Sequence, residues 1–177
     1  MKKRCKRKVW STNINPIAHA MAGASIADKQ SLDKLRLCEL SAIDAMTKGM
    51  GTTEDWRWLA DVINIAEMMG KEGIGPEVLP YCQEAQTAML EAAQRYQTTK
   101  KMGLSGTGIK AIHDVWEFHD LQRTSIARSE YEKMIRKTAN HIKGKGKDVV
   151  EIVPNEEKPE KLTFVRKGVE LPSLDFL

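Results

Sequence analysis

An all-α fold is what this sequence predicts: a compact bundle of five to six helices with a basic N-terminal arm and a C-terminal tail able to pair as a short β-ribbon. Three observations carry that expectation. Aromatic residues make up only 6% of the 177 residues while the hydrophobic content is 41%, and Ala, Leu, Met and Ile recur among Glu, Lys and Gln, residues that cost little in a helix. Apolar residues return at spacings of three and four, which draws one stripe per helix. Between those stripes, glycine, proline and capping residues punctuate the chain. The divisions that follow are a basic arm at 1–10, a helical domain at 11–145 and a tail at 146–177.

Each element has its own reason. Asn15 with Pro16 opens a short helix over about 16–26, because proline at the first helical position lacks only a donor that would be unpaired anyway. Leu32, Leu35, Cys38, Ala42, Ile43 and Met46 form the stripe of a second helix that stops near Gly49. Thr52 or Thr53 caps a third, whose Glu54 and Asp55 suit the positive end of the helix dipole. Its inner face is Trp56, Leu59, Ile63, Ala66 and Met69. "GKEGIGPEVLP" reads as a loop, with the next helix starting at Pro76 or Pro80 and turning Tyr81, Ala85, Met89, Ala92 and Tyr96 inward. "MGLSGTG" breaks the pattern again. Thr107 is the expected N-cap of a helix carrying Ile109, Ile112, Val115, Trp116 and His119 on its apolar line. Ser129 and Glu132 form an S-x-x-E capping box for a last helix with Tyr131, Met134, Ile135, Thr138 and Ile142 inside. "DVVEIV" and "KLTFVR" in the tail alternate in β fashion and can pair as a ribbon, although an isolated one is marginal.

The net charge of +4 conceals a segregation. Six of the 28 basic residues fall within residues 1–8, leaving 22 against 24 acidic ones in the rest of the chain. Residues 9–122 hold ten basic and fifteen acidic side chains, whereas residues 123–147 hold eight Lys or Arg against Glu130 and Glu132. A polyanion meets the two basic zones first. No apolar run approaches the ~18 residues that span a bilayer, and no apolar stretch follows the N-terminal cations as in a secretory signal. Three widely spaced cysteines, Cys5, Cys38 and Cys82, contain no CxxC pair and suit a reducing cytoplasm.

"VWEFHDLQ" at 115–122 is the stretch most suggestive of chemistry. On a helix His113, Glu117 and Asp120 share a face, so they are a candidate metal set, with His119 turned toward the apolar stripe. The bland alternative is a solvated polar face and a packed, hydrogen-bonded histidine, and it is the reading the spacing favours. The doublets His113-Asp114 and His119-Asp120 are similar to the metal motif of all-helical HD phosphohydrolases. That pattern needs an earlier histidine and a final aspartate. Only His19 precedes, and after Asp120 there are only Asp148 and Asp175. "GLSGTGIK" with Lys110 is not a P-loop, so an interhelical turn with an ordinary cap fits it better than a nucleotide cradle. Helix-turn-helix recognition lacks a basic reading face on the acidic helix at 52–70.

From about residue 6 to 140 the chain resembles small proteins encoded by phages and prophages of proteobacteria. "KRKVW", "NPIAHAMAG", "LSAIDAMTKGMGTTEDWRWLADVINIAEMM" and "GIGPEVLPYCQEAQTAML" carry the resemblance, together with an E-x-H-D-x-Q motif at Glu117, His119, Asp120 and Gln122. It implies a phage setting and leaves mechanism to the residues. Those residues favour a non-enzymatic binding protein with no cofactor, whose partner is a nucleic acid or nucleoprotein complex, including one of host defence, or a host protein. Lys2, Lys3, Arg4, Lys6, Arg7 and Lys8 are the expected phosphate contacts, joined by Arg136, Lys137 and Lys143, with Trp10 free to stack on a base. A metal-dependent HD-like hydrolase using His113, Glu117 and Asp120 is the enzymatic alternative, and an oligomerising phage component the structural one.

Overall fold

The computed structural model describes residue 21, residues 23–25 and residues 29–145. Five long helices occur among them: α1 (Lys29–Thr47), α2 (Thr53–Lys71), α3 (Leu79–Thr99), α4 (Gly106–Ser125) and α5 (Arg128–Lys145), with a 3₁₀ turn at Pro76–Val78 before α3. Met21, Gly23 and Ala24 are helical. The remainder of the helix expected at 16–26, the arm at 1–10 and the ribbon expected in the tail lie outside the described residues.

α2 is the hub, packing against α1, α3, α4 and α5. Its stripe behaves as its spacing demands: Trp56, Leu59, Ile63, Ala66 and Met69 are all buried. The main core joins Ile43 and Met46 of α1 to Leu59 and Ile63, to Cys82, Ala85, Met89 and Ala92 of α3, and to Ile112 and Val115 of α4. A smaller cluster of Ile65, Met69, Tyr131, Met134 and Ile135 seats α5 on α2. Small residues on α3 let α4 approach closely, since a Cβ added at Gly108 would lie 3.0 Å from the Ala88 methyl. The Trp56 indole is buried within this core and donates to the Met89 carbonyl at 2.9 Å, which satisfies its one polar atom.

Thr52 caps α2 in a reciprocal box: its hydroxyl accepts from the Asp55 amide and the Asp55 side chain accepts from the Thr52 amide. The two interhelical turns at that end of the bundle hold each other. The Gly51 amide donates to the Met102 carbonyl and the Leu104 amide to the Met46 carbonyl, and a Cβ at Gly103 would fall 2.8 Å from the Gly49 Cα.

Four local expectations are corrected. Cys38 is exposed and Glu39 is buried in its place. At about 100° per residue, position 38 lies ~120° from Leu32, whereas position 39 returns to within ~20° of it. Ser105, not Thr107, caps α4: its backbone is extended and its hydroxyl accepts from the Gly108 amide, while Thr107 sits exposed in the first turn. α5 begins at Arg128, so Ser129 lies inside the first turn. Glu132 accepts from the Arg128 side chain at 3.1 Å and not from a capping-box amide. Finally, Leu35, Tyr81, Tyr96, Ile109, Trp116 and Ile142 are only half-buried; Tyr81, Tyr96, Ile109 and Ile142 lie in the first or last turn of their helices.

Candidate functional site

The E-x-H-D-x-Q motif occupies the second half of α4, and the helix distributes its four side chains to different neighbours. Glu117 points to solvent. His119 has no exposed surface, and its Nε2 lies 3.1 Å from the Tyr131 hydroxyl of α5. Asp120 receives a bidentate pair from Arg36 of α1, both contacts at 2.8 Å. The Gln122 amide donates to the Ile74 carbonyl at 2.6 Å and reaches those of Ala66 and Gly75, so it holds the end of α2 and the loop that follows. Three consecutive faces of one helix are thus tied to α5, to α1 and to the α2 loop.

Beside the motif stands a buried ion pair that local sequence patterns do not reveal. Arg123 and Glu39 are each only 2% exposed, and the guanidinium meets the carboxylate at 2.7 and 2.9 Å. Arg123 also donates to Asp120, and the Trp116 indole donates to Glu39 at 2.8 Å. Asp33, bonded to Arg36, closes a chain of charge running Asp33, Arg36, Asp120, Arg123, Glu39 between α1 and α4. Such geometry is what buried charges require, because an unpaired one would carry its full desolvation cost.

Electrostatics follow from the geometry. Burial of Asp120 acts to raise its pKa, but the hydrogen bonds from Arg36 and Arg123 outweigh it and hold the carboxyl below its usual range. Arg123 loses hydration on burial, yet its bonds to Glu39 keep it firmly protonated. Burial pushes the His119 imidazole down to about 3, with the Arg123 charge acting in the same direction against weaker support from Gln122 and Asp120. His119 Nδ1 and Gln122 Oε1 are the buried side-chain polar atoms without a standard hydrogen-bond partner among the described residues. They belong to side chains three positions apart on one helix. With Nε2 against the Tyr131 hydroxyl, burial leaves the imidazole neutral. Elsewhere, on α2, burial lifts the half-buried Asp61 carboxyl to about 6 against the opposing Arg57 charge.

The metal set of His113, Glu117 and Asp120 is not assembled. His113 and Glu117 are exposed, Asp120 is bound by two arginines, and no group of three His, Cys, Asp or Glu among the described residues could hold a metal ion. His19 and Asp148, which the HD-type pattern would need, lie outside the described residues. An open cleft of about 250 Å³ between α3 and α4 is lined by Glu84, Thr87, Glu91 and Thr107, and no histidine or cysteine borders it. Cys82 is buried, which pushes its thiol up to about 12 and leaves no thiolate for nucleophilic work.

Of the expected phosphate contacts, Lys2, Lys3, Arg4, Lys6, Arg7, Lys8 and Trp10 lie outside the described residues. Arg136 and Lys143 are exposed on α5, as is Lys133. Lys137 is bonded to Glu72, the C-cap of α2, and that contact holds the Glu72 carboxyl below its usual range. Comparison with protein-family models, with curated proteins and with solved structures finds no match.

Proposed function

We propose that this chain is a phage-encoded, non-enzymatic binding protein of the bacterial cytoplasm that modulates a host or phage nucleic-acid or nucleoprotein complex, inhibition of a host defence complex being one form of that role. The observation that carries the reading is the use made of the most reactive-looking stretch. His119, Asp120 and Gln122 are committed to holding α4 against α5, α1 and the α2 loop. A proton donor or metal ligand needs access to substrate, and His119 has none. What remains available is cationic charge: six Lys or Arg in residues 1–8 and the exposed Lys133, Arg136 and Lys143. Charge in such blocks neutralises phosphates and releases counterions without reading sequence. No helix among the described residues is long and apolar enough to cross a membrane.

Binding of the purified chain to DNA and RNA at about 50 mM salt tests the reading. Replacing all six Lys and Arg of residues 2–8 by Gln is expected to weaken binding at least tenfold. Undiminished binding would contradict it. A second reading, an assembling phage component, draws support from Leu37 of α1, 70% exposed, and Leu121 of α4, 66% exposed; a concentration-dependent mass in sedimentation would favour it.

A further inference from the structure

We infer that the ligand is duplex DNA, held by the outward ridge of α5. This rests on the polyanion reading above and narrows it. Of the eight Lys and Arg residues between 123 and 147, three have carboxylate partners: Arg123 with Glu39, Arg128 with Glu132, and Lys137 with Glu72. Lys133, Arg136 and Lys143 are exposed. Lys133 acts on Glu72 through space, but none of the three is in an ion pair among the described residues.

At about 100° per residue these cations, with exposed Ser129 and Asn140, fall in one sector roughly 80° wide. It lies opposite Tyr131, Met134 and Thr138, which face inward. Glu130 lies off the ridge, and Glu132 is held by Arg128. From Lys133 to Lys143 the ridge runs ~15 Å, the length of about four phosphates on one strand of B-DNA.

Shape selects among nucleic acids. α5 packs chiefly on α2, and its outward ridge is exposed. A helix of that calibre enters the roughly 12 Å wide major groove of B-DNA, whereas the deep, narrow groove of A-form RNA excludes it. Single strands are held by stacking on aromatic side chains, and the aromatic residue of α5, Tyr131, is buried. Asn140, in the middle of the ridge, is the side-chain type that pairs with an adenine edge. The chain leading to the basic arm also joins the body here: the Arg128 amide donates to the Ser25 carbonyl at 2.9 Å, and a Cβ at Gly23 would lie 3.2 Å from the Ser129 Cβ.

Fluorescence anisotropy of the full chain with a 20-base-pair DNA duplex, its single strand and the matching RNA duplex, over a salt series, tests this. Duplex DNA is expected to bind at least tenfold more tightly than the other two. The Lys133→Gln/Arg136→Gln/Lys143→Gln variant is expected to keep its unfolding midpoint and to lower the slope of log affinity against log salt by roughly 2 to 3. Equal or tighter binding of the single strand or the RNA duplex, or an unchanged slope, overturns the inference and leaves the arm-based reading standing. Failure of the full chain to bind any of the three sinks both.

Discussion

Burial of His119 sets how the protein responds to acid. In the folded protein the imidazole takes up its proton only near pH 3, while in the unfolded chain it does so near its ordinary value of 6.5. Between those limits the unfolded state binds more protons, so this residue's contribution to stability is complete above about pH 6.5 and is lost as pH falls toward 3. The wild type is expected to lose about 3 kcal/mol or more beyond what a His119→Gln variant loses between pH 7 and pH 4, measured by urea denaturation. Parallel pH profiles for the two would show that the ring is not held neutral. Gln122 makes a different kind of contribution, because its amide serves carbonyls at the end of α2 and in the following loop. Gln122→Ala is expected to cost about 1–3 kcal/mol, read from the same denaturation curves, since it strips buried carbonyls of their donor; a loss under about 0.5 kcal/mol would mean water replaces it.

Pairs of helices are joined by two devices that differ in how far they can be seen from sequence. The Glu39–Arg123 pair bridges 84 positions, and an acid on α1 reads as surface until its partner's place in the fold is known. Glu39→Ala is expected to cost about 3–5 kcal/mol by leaving Arg123 buried and unpaired, whereas Glu39→Met with Arg123→Met is expected to cost far less than the two single changes together. Additive single effects in a double-mutant cycle would contradict the coupling. The glycine contact between the two turns is the second device. Gly103→Ala is expected to destabilise by about 1–3 kcal/mol because the Gly49 backbone stands in its way, while Gly106→Ala, with nothing within 4 Å, is expected to be neutral or stabilising. Periodicity made α2 and most of the core legible, and a threonine cap at 52 or 53 was visible, while the reciprocal bond with Asp55 that selects Thr52 appears only in the folded chain. Ser105 was obscured by the equally suitable Thr107. Which basic residues of 123–147 are neutralised, and which stay exposed, depends on Glu39 of α1, Glu72 at the end of α2 and Glu132, so composition alone gave the zone more free charge than it has.

For the molecule as a whole, the polar groups of α4 tie it to its neighbours, and in the function proposed above the cations on α5 and at the N-terminus meet the partner. That proposed division of labour separates stability from binding, so the two are expected to respond to different substitutions. Asp120→Asn weakens the Arg36 and Arg123 contacts, so it is expected to lower the unfolding midpoint without altering the cationic surface. The most direct measurement is the affinity for duplex DNA, at a temperature where every variant is folded, of Asp120→Asn beside the variant with Gln at Lys133, Arg136, Lys143 and the six basic positions of 2–8. Wild-type affinity for the former and loss of binding in the latter is the expected result. Loss of binding by folded Asp120→Asn, with the neutralised variant still bound as tightly as wild type, would contradict it.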